Sequence, residues 1–299
     1  MTPGSERKRA VLGCKASGKP LLTTRTLKPA RAARAAVGRN AFGRATGLHA
    51  RESGGERMSC GVDLVAVDRI AESLALHGDR FLERLFTARE QADAGGVPAL
   101  REQRLAARFA AKEAAIKALG LVEVGLGWRD IEVVRHCDGA CSLRLTGTAE
   151  RQAAHLGLHD LALSLSHEGN WAIAMVQARF RTSISPVPAP RAVPTVHPRR
   201  TLMRATQNTT TAASIEADIR AVLSEHARLG KSAQALGRGE DLYLAGMSSH
   251  ASVNVMLALE GRFDVEFPDH LLNRQVFSSV QAIESAVRQL MAPTGRSIA

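Results

Sequence analysis

One helical segment constrains this chain more than any other. The run Arg108-Phe109-Ala110-Ala111-Lys112-Glu113-Ala114-Ala115-Ile116-Lys117-Ala118-Leu119-Gly120 puts a carboxylate between two lysines on a single helix. Positions i, i+3, i+4 and i+7 share a helical face. Leu105, Phe109, Ile116 and Leu119 therefore form an apolar stripe, with Glu113 at its edge and Lys117 one turn further on. A half-buried carboxylate needs a partner, because an unpaired buried charge is costly. Two partners are open. Lys117 can form an i,i+4 ion pair on an ordinary amphipathic helix. Alternatively, the carboxylate can help to hold a hard cation against phosphate groups.

Two further segments carry chemistry. Gly61-Val62-Asp63-Leu64-Val65-Ala66-Val67-Asp68-Arg69-Ile70 has the pattern of a short buried strand running into a helix. Asp63 interrupts its apolar run, either as a helix N-cap or turn residue or as the second carboxylate of a magnesium site. Residues 161–166 form a predicted strand with His167 at its end, and Trp171 to Val176 form another after Gly169-Asn170. A lone histidine in such a place is usually structural. Here Ser164 and Ser166 precede it, and strand ends commonly carry ligand contacts.

These segments, in this order, resemble the holo-acyl-carrier-protein synthases, the phosphopantetheinyl transferases of fatty-acid synthesis. The resemblance spans residues 59–179. It rests on Gly61-Val62-Asp63, the Arg108-Phe109-Ala110-Ala111-Lys112-Glu113-Ala114-Ala115-Ile116-Lys117 helix and Ser164-Leu165-Ser166-His167. The stretch Arg80-Phe81-Leu82-Glu83-Arg84-Leu85-Phe86-Thr87 also fits the family's pattern. The resemblance implies that Asp63 and Glu113 hold magnesium against the diphosphate of coenzyme A. It implies that Lys117 offsets charge on the transferred phosphoryl group, and that His167, Arg108 and Lys112 contact coenzyme A phosphates. It also implies a homotrimer with active sites between subunits. Such parts suit phosphoryl transfer, which depends on positioning and electrostatic stabilisation. The base that deprotonates the attacking serine is not evident from the residues; a water held by Asp63 or Glu113 is one option.

Residues 212–292 carry a second resemblance, to acyl carrier proteins, through Asp241-Leu242-Tyr243-Leu244-Ala245-Gly246-Met247-Ser248-Ser249-His250 and the sequence on to Glu260. Phe263-Asp264-Val265-Glu266-Phe267-Pro268-Asp269 continues it. Amphipathic helices are predicted over residues 214–229 and 279–291, the latter with Val280, Ile283, Val287 and Leu290 on one face, which suits a small helical bundle. In carrier proteins the phosphopantetheine is attached to a serine opening the second helix. The match puts it on Ser249, while Ser248 or Ser249 would also cap the helix. The family's Asp-Ser-Leu core is Ser248-Ser249-His250 here. Loss of the aspartate and gain of a histidine are expected to weaken docking on the synthase arginines, for which Arg69, Arg80 and Arg84 are the candidates.

The net charge of +11 invites a nucleic-acid reading, but its placement opposes one. Residues 1–57 hold 13 Lys/Arg against 3 Asp/Glu, whereas residues 58–180 hold 14 against 16 and residues 212–292 hold 7 against 10. Attraction between the two halves must then come from local patches. Residues 1–57 lack apolar periodicity and are expected to be disordered. They are either an organelle transit peptide, a nucleic-acid-binding arm or sequence upstream of a true start at Met58. Residues 181–211, with Pro186, Pro188, Pro190, Pro194, Pro198 and Thr209-Thr210-Thr211, are expected to be a semi-extended linker. No apolar run is long enough for a membrane span and no secretory signal is evident, so a cytoplasmic location is expected. Four cysteines suggest no disulfide scaffold. His136, Cys137 and Cys141 lack a fourth zinc ligand, and Asp138-Gly139 between two strands points to a hairpin turn.

The expected architecture is an α+β phosphopantetheinyl transferase-like domain over 58–180, the 181–211 linker, an all-α four-helix carrier bundle over 212–292 and a 293–299 tail. The expected activity is magnesium-dependent transfer of 4'-phosphopantetheine from coenzyme A to a carrier serine, releasing adenosine 3',5'-bisphosphate. The carrier is the chain's own C-terminal domain, in cis or across an oligomer, or a separate protein. The alternative is a carrier or scaffold protein whose synthase-like part only binds partners.

Overall fold

The structure is a computed structural model that describes residues 48–51, 56–97, 100–181 and 209–292. All of these fall within one contact unit, Phe42–Ala299. Of the segments expected to lack structure, most of 1–57, most of 181–211 and all of 293–299 lie outside the described residues.

The N-terminal half is α+β. A four-stranded antiparallel sheet runs in the order β1-β2-β6-β5, with β1 at Leu48–Arg51, β2 at Glu56–Ala66, β5 at Leu158–Glu168 and β6 at Trp171–Arg181. β1 and the start of β2 lie inside the segment 1–57, so part of it pairs into the sheet rather than standing apart. Four helices follow β2: α1 at Val67–His77, α2 at Asp79–Leu85, α3 at Ala88–Gly95 and α4 at Arg101–Leu119. A hairpin of β3 (Ile131–Arg135) and β4 (Cys141–Leu145) and helix α5 (Gly147–His155) complete it. The hairpin turn is the one expected at Asp138-Gly139: Ala140 N donates to Asp138 Oδ1, and Gly139 takes φ 88°. Cys60, Cys137 and Cys141 are free. Among the described residues no group of three or more His, Cys, Asp or Glu could hold a metal ion, and no helix is long and apolar enough to cross a membrane.

α4 is the core of this half. It differs from the striped helix expected, because 13 of its 19 residues are buried and the burial runs right round it, while Ile116 is only partly covered. The reason is its alanines. Small side chains at 107, 110, 111, 114, 115 and 118 let the sheet approach on one side, while Leu105 and Phe109 pack elsewhere in the core. Gly61 on β2 takes this approach to its limit. A methyl there would collide with the Ala114 carbonyl oxygen and lie 2.7 Å from the Ala118 nitrogen. The helix stops at Gly120, whose left-handed backbone (φ 69°) returns its N–H to the carbonyls of Ile116 and Lys117.

The C-terminal half is helical: α6 at Thr209–His226, α7 at Ser249–Phe263 and α8 at Val280–Met291. Val280, Ile283 and Val287 of α8 are fully buried, with Ile219 and Leu223 of α6 and Val255 and Leu259 of α7. Where a fourth helix was expected, the described residues between α7 and α8 hold only a single 3-10 turn at Asp269–Leu271. Pro268, which lacks an N–H, immediately precedes that turn.

Candidate functional site

The close packing of β2 on α4 at Gly61 decides what stands next to what. Two residues on, Asp63 points the same way as Gly61 and meets the C-terminal part of α4. Lys117 Nζ donates to Asp63 Oδ1 at 2.7 Å and to the Val62 carbonyl at 3.1 Å. Asp63 is therefore no helix cap; α1 is capped by Ala66 without any side-chain bond. Burial raises the Asp63 pKa even against the pull of Lys117. Glu113, one turn before Lys117, is 6% exposed, and burial followed by the nearby Asp63 charge pushes its carboxyl up to about 7. Two carboxylates thus share one pocket with one ammonium.

A fourth group completes the cluster from the other half of the chain. The Ser249 hydroxyl lies beside Glu113, where it favours the charged form of the carboxyl. Ser248 is the cap of α7, accepting from Ala251 N at 3.2 Å, so Ser249, the first helical residue, is left free to face the synthase-like half. The Tyr243 hydroxyl pKa, pushed up to about 12 mainly by burial, also feels the Glu113 charge.

The two halves meet along α1, α2 and α7. Arg80 Nη2 bonds Glu260 Oε2 at 3.3 Å. Arg84 lies 3.5 Å from Glu260 Oε1 and 3.1 Å from Glu266 Oε1, and also donates to the Phe267 carbonyl. Arg228 pairs with Glu72. Of the three arginines named from the sequence, Arg80 and Arg84 make these contacts. Arg69 has no ion pair to the C-terminal half among those described, but its charge acts on His250. His250 does not protrude from the interface. It is buried, its Nε2 lies 3.0 Å from Ser73 Oγ, and its ring meets Phe109 edge-on at 5.5 Å.

Arg108 and Lys112 were expected at the phosphates, and the structure removes both from there. Lys112 is fully buried, with Nζ donating to Glu90 Oε2 at 2.9 Å, to Trp128 O at 3.0 Å and to Ile131 O. Glu90 in turn caps α3 and accepts from Val133 N at 2.9 Å, so the pair ties α3, α4 and β3 together. Arg108 is buried against Asp93 and the Arg104 carbonyl. At about 100° per residue, Lys112 is turned about 100° and Arg108 about 140° round α4 from Glu113, so both point away from it. His167 is exposed at the end of β5. It faces Ala172, which pairs with Val65 rather than Asp63, so it is two strands and two positions, roughly 10 Å or more, from the carboxylates. Sequence patterning missed Ser73, Phe109 and Tyr243 as site neighbours. A serine in the middle of a helix is the only signal any of them gives.

Asp63 and Glu113 have the donor chemistry a hard cation takes: magnesium binds one or two carboxylates and completes its shell with phosphate oxygens and water, and the Asp63 charge near Glu113 is one that a cation would offset.

The model of the 4'-phosphopantetheinyl transferase superfamily matches residues 59–176. A holo-[acyl-carrier-protein] synthase of Chloroflexus aurantiacus is 48% identical over 130 residues, 40% of this chain and 95% of that relative. A solved coenzyme A complex of the synthase from Chronobacterium ammoniagenes is 35% identical, covers 42% of this chain and 98% of that one, and gives a TM-score of 0.39. Over 24% of this chain and 97% of the matched one, there is 46% identity, at a TM-score of 0.24, to a structure of an engineered Bradyrhizobium japonicum glycine:[carrier protein] ligase with a carrier protein from Agrobacterium tumefaciens. By its match to these synthases across almost their whole length, the chain belongs to the holo-[acyl-carrier-protein] synthase family of 4'-phosphopantetheinyl transferases and is an enzyme of that kind.

Proposed function

We propose that the chain transfers 4'-phosphopantetheine from coenzyme A to Ser249 of its own C-terminal carrier domain, with magnesium held by Asp63 and Glu113. The observation that carries this reading is the placement of Ser249, the first residue of α7, beside Glu113 and near the Asp63–Lys117 pair. The carrier domain spans residues 212–292, the synthase domain 58–180, and the Pro-rich 181–211 stretch tethers them.

In the reaction, Ser249 Oγ bonds to the phosphorus that bears pantetheine. The bond from that phosphorus to the bridging oxygen breaks, adenosine 3',5'-bisphosphate leaves, and the serine proton passes to a base. Bound magnesium supplies Lewis-acid stabilisation of the diphosphate oxygens. Lys117 offsets charge on the transferred phosphoryl group. Glu113, its carboxyl pushed up to about 7 and placed beside the Ser249 hydroxyl, orients Ser249. Arg80 and Arg84 hold the carrier in register through Glu260 and Glu266.

The outer face of the sheet supports a homotrimer. Val62, Leu64, Trp171, Ile173 and Met175 form an exposed apolar patch across β2 and β6, of the kind that marks an interaction surface. His167, remote from the carboxylates of its own chain, contacts coenzyme A phosphates held with a neighbouring subunit. The protein works in the cytoplasm. The test is labelling with coenzyme A and magnesium: Ser249 acquires one phosphopantetheine, and Asp63→Asn and Lys117→Ala each reduce the rate by more than about 100-fold. Equal rates in those variants would refute the site.

A further inference from the structure

We infer that Ser73 and His250 form a matched recognition pair, which makes the synthase domain selective for carriers with a histidine directly after the acceptor serine. The inference rests on the self-modification reading above and names the class of carrier that the site prefers.

Ser73 is fully buried in α1, where alanine would serve the helix better. Ser73 Oγ lies 2.9 Å from the Arg69 carbonyl and 3.0 Å from His250 Nε2. The hydroxyl and the neutral ring complement each other in either direction: with the Ser73 proton on the carbonyl, the ring donates through Nε2–H, and in the other tautomer Nε2 accepts from the hydroxyl. Burial and the nearby Arg69 and Arg228 charges disfavour the charged ring. The edge contact with Phe109, itself stacked on Trp128 at 5.1 Å, holds the ring in the plane the bond needs. A leucine at this position would fill the pocket yet leave the Ser73 lone pairs facing apolar surface, an arrangement that costs free energy. Because His250 is the residue after Ser249, the pair also sets where the hydroxyl stands relative to Glu113. Ser73 is thus a positioning residue.

The test is a competition in one tube. The full-length chain is given limiting labelled coenzyme A, with magnesium and an equal amount of a separate acyl carrier protein whose serine is followed by leucine. The ratio of Ser249 labelling to competitor labelling is read by mass spectrometry. A ratio within one enzyme preparation is insensitive to partial loss of fold. Ser73→Ala lowers this ratio about fivefold, and Ser73→Thr, which keeps the hydroxyl, restores it to within twofold. In a His250→Leu background, Ser73→Ala leaves the ratio unchanged or raises it. An unchanged ratio in Ser73→Ala, or the same fivefold loss in the His250→Leu background, overturns the pairing while the self-modification reading stands. Labelling of the competitor alone by the wild-type chain overturns both.

Discussion

At the scale of single residues, two adjacent charged side chains on α4 have different fates. Glu113 faces the pocket and Lys112 the interior, and each predicts a different phenotype. Glu113→Gln abolishes transfer while keeping the fold. Its stability effect has a definite sign. The folded carboxyl titrates at about 7 against an ordinary 4.5, so the folded chain keeps a proton that the unfolded chain loses as pH rises between those values. The contribution is full below about pH 4.5 and is lost by pH 7, a span on the order of 3 kcal/mol. Without divalent cation, Glu113→Gln is therefore more stable than wild type to urea at pH 8, and the gap closes below pH 5. A pH-independent gap would contradict the burial of this carboxylate. Lys112→Met acts the other way. It strands buried Glu90 and costs about 3–5 kcal/mol in urea unfolding, with the coenzyme A KM of the surviving folded fraction unaltered. A raised KM with unchanged stability would return Lys112 to the phosphates.

At the scale of elements, the site exists because β2 and α4 touch at Gly61. Gly61→Ala separates them, costing roughly 1–3 kcal/mol by overpacking, and it loses transfer along with stability because Asp63 and Glu113 move apart. Wild-type activity in Gly61→Ala would show that the carboxylates need no such closeness. That Asp63 and the α4 charges belong together was legible only through the family resemblance, since Asp63 and Lys117 lie far apart in sequence and local periodicity alone left Asp63 open as a helix cap. The fate of Lys112 was not, because its partner Glu90 lies on another helix and nothing in the spacing on α4 announces it. The alanine-lined second face of α4 was equally hidden, since alanine is neutral in a hydrophobic pattern. The docking arginines were found only in part. Arg80 and Arg84 on α2 meet Glu260 and Glu266, whereas Arg69 contributes its field without an ion pair among the described contacts. Arg84→Ala leaves the nearly buried Glu260 with the more exposed Arg80 as its cationic partner, beside the Phe267 N–H that Oε1 accepts, and it is expected to slow Ser249 modification about tenfold.

At the scale of the whole molecule, the two halves carry similar mild negative charge, so the interface depends on local pairs and on the tether. On the proposed reading of residues 181–211 as a linker, a tether of about 30 residues gives an effective concentration on the order of millimolar. Cleavage at a protease site inserted between Pro186 and Pro198 should then slow Ser249 labelling at least tenfold at micromolar protein, and an unchanged rate would leave the tether without this role. The description of the site as a meeting of enzyme and substrate in one chain is tested most directly by intact mass after incubation with coenzyme A and magnesium. The account predicts a gain of one phosphopantetheine on the wild-type chain and none on Ser249→Ala or Glu113→Gln. A wild-type chain that stays unmodified while it labels a separate carrier, or a gain that survives Ser249→Ala, would contradict it.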